Sequence, residues 1–201
     1  MKKMSALDRI LLLLTGLLAA YQIVIGVEGA PSLSVVAYTI SFGVLLLAGL
    51  LLIIFGFEAL DSPYVVIVST IIPLSLSLGL VWEFLSGWRT VYLVFVVAGL
   101  TAVALTRLFW PGKGATFTLA FVHGIAGLII FSLPIVLSVS QTTPWGFALV
   151  GLGGALIGLG GLLLSFLKVG KPILSHETIL TVLPGLLLLM TAAFVAGFSF
   201  V

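Results

Sequence analysis

Gly151-Leu152-Gly153-Gly154-Ala155-Leu156-Ile157-Gly158-Leu159-Gly160-Gly161 is the stretch on which the reading of the chain turns. Glycines at 151, 154, 158 and 161, continued by Ser165, recur at steps of three and four, so on a helix they form one stripe without side chains. In water such a helix would be poor, because each interior glycine costs about 1 kcal/mol relative to alanine. In a bilayer the stripe is useful. Lipid tails are as apolar as leucine, so membrane helices associate through close backbone approach, which small residues at this spacing permit. The stripe therefore predicts a membrane helix at the centre of a bundle, with neighbours pressed against Gly151, Gly154, Gly158 and Gly161.

Composition agrees with that solvent. Of 201 residues, 62% are hydrophobic and 7% charged, against about 25% charged in soluble domains. Lys+Arg 8 against Asp+Glu 6 is too slight a basic excess to imply nucleic acid as a partner. The chain has no cysteine, which excludes disulfides, thiolate metal sites and cysteine nucleophiles. The expected partners are the lipid bilayer and other membrane subunits, or further copies of the chain.

A spanning helix needs about 20 apolar residues. Polar, Pro and Gly breaks divide the chain into seven such runs, near 7–27, 34–57, 63–84, 90–109, 115–139, 145–167 and 174–200. The expected fold is thus an all-α integral membrane protein, a single seven-helix bundle over residues 1–201. Met1-Lys2-Lys3 could open a signal peptide, but Asp8 and Arg9 interrupt its n-region, so the first run is expected to be a retained helix. Lys2, Lys3, Arg9, Arg107, Lys113, Lys168 and Lys171 fall on one side and Arg89 on the other. The positive-inside rule then puts the N-terminus in the cytoplasm and the C-terminus outside a cell membrane crossed several times. Trp82, Trp88 and Trp145 fall at the outer interface and Trp110 at the inner one, the depth that indoles prefer.

Seven helices can arise as three, a linker and three. A shift of 111 residues aligns Gly16-Leu17 with Gly127-Leu128, Gly43 with Gly154, Gly49 with Gly160, Phe55 with Phe166 and Pro73 with Pro184. The pattern predicts parallel repeats at 7–84 and 115–200 around a linker helix at 90–109, with Pro73 and Pro184 as helix kinks.

Polar groups at membrane depth are costly and so are candidates for function. His123 lies about 15 Å along its helix from Lys113. Together with His176 it is the minimum for haem b ligation, and either could contact a quinone, although their depths differ. No cofactor is expected to be needed. Ser175-His176-Glu177-Thr178 reads more simply as a helix start with Ser175 as N-cap. Glu58, Asp61, His123, His176 and Glu177 share the cytoplasmic side and form a candidate proton or cation relay. Asp61 or Ser62 is expected to cap the third helix, with Pro63 in its first position. Across the membrane, Glu83 and Arg89 are close enough in sequence to pair.

No catalytic constellation occurs: the histidines lack zinc-motif spacing, and there is no Gly-x-Ser-x-Gly or phosphate loop. The expected function is therefore a non-catalytic, accessory or structural subunit packed within a larger, energy-transducing membrane complex. The alternative is a small transporter or channel for a solute, proton or cation. Its weakness is a lining of little more than Ser and Thr hydroxyls.

Overall fold

A computed structural model describes residues 3–168 and 174–201. Seven helices follow one another: α1 (Ala6–Ile25), α2 (Ser32–Phe55), α3 (Pro63–Phe84), α4 (Arg89–Phe109), α5 (Lys113–Val139), α6 (Ala148–Lys168) and α7 (His176–Phe198). Three short 3-10 turns, Gly56–Asp61, Ser86–Trp88 and Trp145–Phe147, fill out the connections. Six of the helices are long and apolar enough to cross a membrane, and a shorter apolar stretch, Trp145–Gly161, accompanies them. The chain is an all-α, polytopic membrane protein.

The ends are set by local chemistry. Ser5 and Asp8 form a capping box, the Asp8 N–H donating to Ser5 Oγ at 3.1 Å and the Ser5 N–H to Asp8 Oδ2 at 2.8 Å. Gly26 (φ 67°) and Gly56 (φ 71°) take the positive dihedral that closes α1 and α2, donating to the carbonyls of Gln22 and Leu52. At the start of α7, the Thr178 N–H donates to Ser175 Oγ at 3.1 Å. Ser62 takes the N-cap position of α3 before Pro63, but its side chain makes no capping bond.

Packing joins α1 to α2, α2 to α3, α3 to α5, α5 to α6, α6 to α7 and α7 back to α1, while α4 lies outside this ring against α3 and α5. Replacing α1, α2 and α3 by α5, α6 and α7, and the reverse, maps this set of neighbours onto itself. The pair α3·α5 becomes α7·α1, and α4 alone has no counterpart. Pro73 and Pro184 occupy the corresponding helices α3 and α7, both buried within continuous helix. A third internal proline, Pro134 in α5, has no place in the aligned pairs.

The middle of the ring is filled by aromatic side chains. Phe42 meets Phe194 and Phe198 edge-on at 6.5 and 6.2 Å, Tyr38 meets Phe198 at 4.7 Å, and Phe147 meets Phe84 and Phe198 at 5.4 and 6.1 Å. Leu76, Leu80 and Met190 pack into the same cluster.

The glycine stripe behaves differently from the expectation. A Cβ on Gly151 would sit 2.6 Å from the Phe131 carbonyl oxygen, and one on Gly154 2.8 Å from the Phe131 nitrogen, so these two glycines let α6 touch the backbone of α5. A Cβ on Gly158 or Gly161 would meet nothing within 4 Å among the described residues. The same holds for Gly124 and Gly127, which share a face of α5 with Ile130 and Phe131. The two glycine faces therefore diverge beyond Gly154. Gly153 and Gly160 instead receive Phe194 and Leu186 of α7 on the other side. The predicted central position of α6 is corrected as well. It is α3 that is most enclosed, with every residue from Ile72 to Val81 buried, because α2, α4 and α5 surround it.

Candidate functional site

Most buried hydroxyls are satisfied within their own helix. Thr15, Thr70, Ser75, Ser77 and Thr191 each donate to the carbonyl four residues earlier, at 2.6–2.9 Å. Such bonds neutralise a polar group without joining helices.

A smaller set crosses between helices, and it converges on α3. Ser41 Oγ donates to the Ile72 carbonyl at 3.0 Å and Ser34 Oγ to the Gly79 carbonyl at 3.1 Å. From the far side, the Tyr92 hydroxyl of α4 donates to Ser77 Oγ at 2.8 Å. The most polar of these contacts runs from the Tyr38 hydroxyl to Glu83 Oε2 at 2.8 Å. Gly79 makes it available: a Cβ there would lie 2.3 Å from Tyr38 Cε1. The bare backbone one turn before Glu83 admits the ring, and the hydroxyl then reaches the carboxylate. Tyr38 is 3% exposed, so its hydroxyl has no water to fall back on.

Across the ring, Gln22 of α1 faces the same region. Its Nε2 donates to the Gly26 carbonyl at 2.7 Å, while its buried Oε1 has no partner among the described residues. A cavity of about 10 Å³ lies between Gln22, Tyr38, Thr39 and Phe42, close to the volume one water needs. Gln22 and Tyr38 line this cavity and Tyr38 reaches Glu83, which gives α1, α2 and α3 a shared polar centre.

Loss of the phenol leaves a half-buried carboxylate without its donor, which typically costs 1–3 kcal/mol. Tyr38→Phe is expected to destabilise the protein by about 2 kcal/mol. Glu83→Gln is expected to cost less, because an amide oxygen accepts the same bond. A double-mutant cycle of Tyr38→Phe with Glu83→Ala, which removes the acceptor, read by thermal unfolding in detergent checks the pairing, and additive effects would mean that the two side chains are not coupled.

The residues singled out from sequence are placed otherwise. Glu83 and Arg89 do not pair: Glu83 accepts from Tyr38, while Arg89 Nε donates to the Trp82 carbonyl at 2.6 Å with its guanidinium 5.5 Å from the Trp82 ring. The reason is geometric, since the Ser86–Trp88 turn brings Arg89 back over α3 at Trp82 rather than at Glu83. Glu58 and Asp61 lie exposed in the turn after α2, and His176 and Glu177 lie exposed at the start of α7. Between these two segments Phe57 packs with Leu180 and Leu183, so the four polar residues flank an apolar contact.

His123 stands apart on α5, its Nδ1 3.1 Å from the Leu119 carbonyl oxygen and its electrostatic neighbour Arg107 of α4. No hydrogen bond or ion pair joins any two of Glu58, Asp61, His123, His176 and Glu177 among the described residues. His123 and His176 occupy helices with α6 between them. Among the described residues, no three His, Asp or Glu side chains gather as a metal site. The partner of Glu83 was beyond sequence reasoning. Gly79 and Glu83, one turn apart, hint at an aromatic neighbour over a bare backbone, but nothing local points to Tyr38, 45 residues away. Compared with known proteins, the chain matches no family model, no curated protein and no solved structure.

Proposed function

We propose that this chain is a non-catalytic subunit of the cell membrane, spanning it seven times with a cytoplasmic N-terminus and an external C-terminus, and packing against partner subunits or further copies of itself. The observation that carries this reading is the aromatic filling of the ring. Phe42, Phe147 and Phe194 are each at most 2% exposed, and they stand where a solute path would have to run. Among the polar groups nearby, Ser34, Tyr38 and Ser41 join α2 to α3, so they serve cohesion. Large exposed side chains such as Ile54, Phe55, Val94 and Phe117 suit a surface covered by lipid or by neighbouring subunits. No cofactor and no nucleic acid belong to this reading, and neither does an enzymatic reaction.

The test is gentle detergent extraction of the native protein, followed by mass spectrometry and an absorption spectrum. Stoichiometric partner chains, or a defined homo-oligomer, are the expected result. A chain that migrates alone and moves an ion or solute in proteoliposomes would overturn the proposal. A Soret band would bring His123 and His176 forward as haem ligands.

One observation favours the transporter reading as a second. The neighbour set α1–α2–α3 repeats as α5–α6–α7 with α4 left over, as two parallel three-helix repeats and a linker would require. On that reading Pro73 and Pro184 mark equivalent bending points, and the ring would have to part its aromatic filling to conduct.

A further inference from the structure

Outside the ring, α4 leans away from α2 and opens an apolar groove of about 270 Å³. Its walls are Val36 and Ile40 of α2, Leu74 and Leu78 of α3, and Val96 and Leu100 of α4. The one hydroxyl in the lining, Ser75, is already spent on the Ile71 carbonyl. From Ile71 to Leu78 the groove follows α3 for about 10 Å, two-thirds of the roughly 15 Å depth of one hydrocarbon leaflet.

The lining discriminates between occupants. It is apolar apart from Ser75, and its edge residues Val36 and Ile40 are exposed, so the groove offers contact to a hydrocarbon chain and no partner to a polar one.

Register places a cation at one end. Trp82 lies one turn beyond Leu78 on α3, and Arg89 lies seven residues before Val96, on the same face of α4. The Arg89 guanidinium stacks on Trp82, and after its Nε bond to the Trp82 carbonyl its terminal amino groups meet no acceptor among the described residues. Trp82, Trp88 and Arg89 together mark the membrane–water boundary, one turn above the groove. Glu83, the acidic residue six positions before Arg89, is engaged by Tyr38 and makes no ion pair with Arg89.

We infer that the α2–α3–α4 groove binds one anionic phospholipid, an acyl chain lying between Val36, Leu78 and Val96 and the phosphate resting on Arg89. The acyl chain supplies the contact that water cannot make in this groove. The arginine supplies two charge-assisted donors to phosphate oxygens.

The full chain, purified in mild detergent and analysed by native mass spectrometry, is expected to retain one phosphatidylglycerol in preference to phosphatidylcholine. Arg89→Gln is expected to weaken retention about tenfold, and Val36→Trp, at the exposed edge of the groove, to abolish it. Retention unchanged by either substitution would overturn the inference. So would a dimer that Val36→Trp dissociates, since the occupant would then be a second copy.

Should Val36→Trp fail to fold, a second measurement decides. With exposed Trp88, Trp110 and Trp145 replaced by Phe, Trp82 is the remaining indole. Phosphatidylglycerol brominated on its chains is expected to quench Trp82 at severalfold lower lipid fraction than brominated phosphatidylcholine. Equal quenching by both lipids would overturn the site.

Discussion

Gly154→Leu lowers the thermal stability of the protein in detergent sharply, whereas Gly158→Leu, one turn along the same face, leaves it unchanged or slightly raises it. At Gly154 the first added carbon already stands 2.8 Å from the Phe131 nitrogen and 2.9 Å from the Ile130 carbonyl carbon. These are backbone atoms of α5, which cannot rotate aside, so α5 and α6 must separate along their contact. Overpacking of this kind costs about 1–3 kcal/mol, and leucine at a backbone contact belongs at the upper end. Separation also loosens Gly151, one turn earlier on the same contact. At Gly158, which is exposed, an added Cβ would meet nothing within 4 Å among the described residues, and the helix propensity of leucine exceeds that of glycine by up to about 1 kcal/mol. The measurement is the temperature at which half of the monodisperse peak is lost on size-exclusion chromatography. Equal loss in both variants would refute the divergence of α5 and α6 beyond Gly154.

That divergence shows where sequence reasoning stops. All seven helices lie within a few residues of the runs read from hydropathy, because span length and polar breaks are local properties of the chain. A small-residue stripe is also local, but it records only that close approach is allowed. Whether a neighbour comes close depends on where α5 and α7 are held by other contacts. Gly151 and Gly154 are used, an added Cβ on Gly158 would meet nothing within 4 Å among the described residues, and the off-stripe Gly153 and Gly160 are pressed by Phe194 and Leu186. The central position passed to α3 for a similar reason. Its sequence carries an internal proline, Pro73, and four Ser or Thr residues, which look like a path, yet those hydroxyls bond to their own helix or hold its neighbours.

The polar inventory was legible as a list and illegible as a constellation. Glu83 was visible as a charged residue at a helix end, but its hydrogen bond comes from Tyr38, an ordinary aromatic among the chain's 4 tyrosines. Sequence proximity suggested Arg89 for Glu83, and chain geometry gave Arg89 to Trp82 instead. The acidic and histidine residues of the other side were grouped by topology alone. The structure leaves Glu58, Asp61, His176 and Glu177 around an apolar contact and His123 on a different helix pair.

Phe194→Ala is the second substitution expected to act strongly, and it bears directly on the filled ring. Phe194 is 1% exposed, lies edge-on to Phe42, and occupies the space that Gly153 leaves open on α6. In a soluble protein this truncation costs about 3–5 kcal/mol, part of it transfer from water. Within a bilayer the transfer part largely vanishes, because lipid is as apolar as the core. The cavity part remains: a void on the order of 100 Å³ at about 24 cal/mol per Å³ gives roughly 2 kcal/mol, to which the lost ring contacts with Phe42 add up to about 1 kcal/mol. Phe117→Ala removes the same side chain from a position 73% exposed, creates no void, and is expected to change stability by less than about 0.5 kcal/mol. The comparison also separates the two functional readings. If the aromatic cluster is cohesive filling, Phe194→Ala destabilises the chain and proteoliposomes stay tight to protons and small solutes. If it is the closed position of a path, the same substitution makes the vesicles leak.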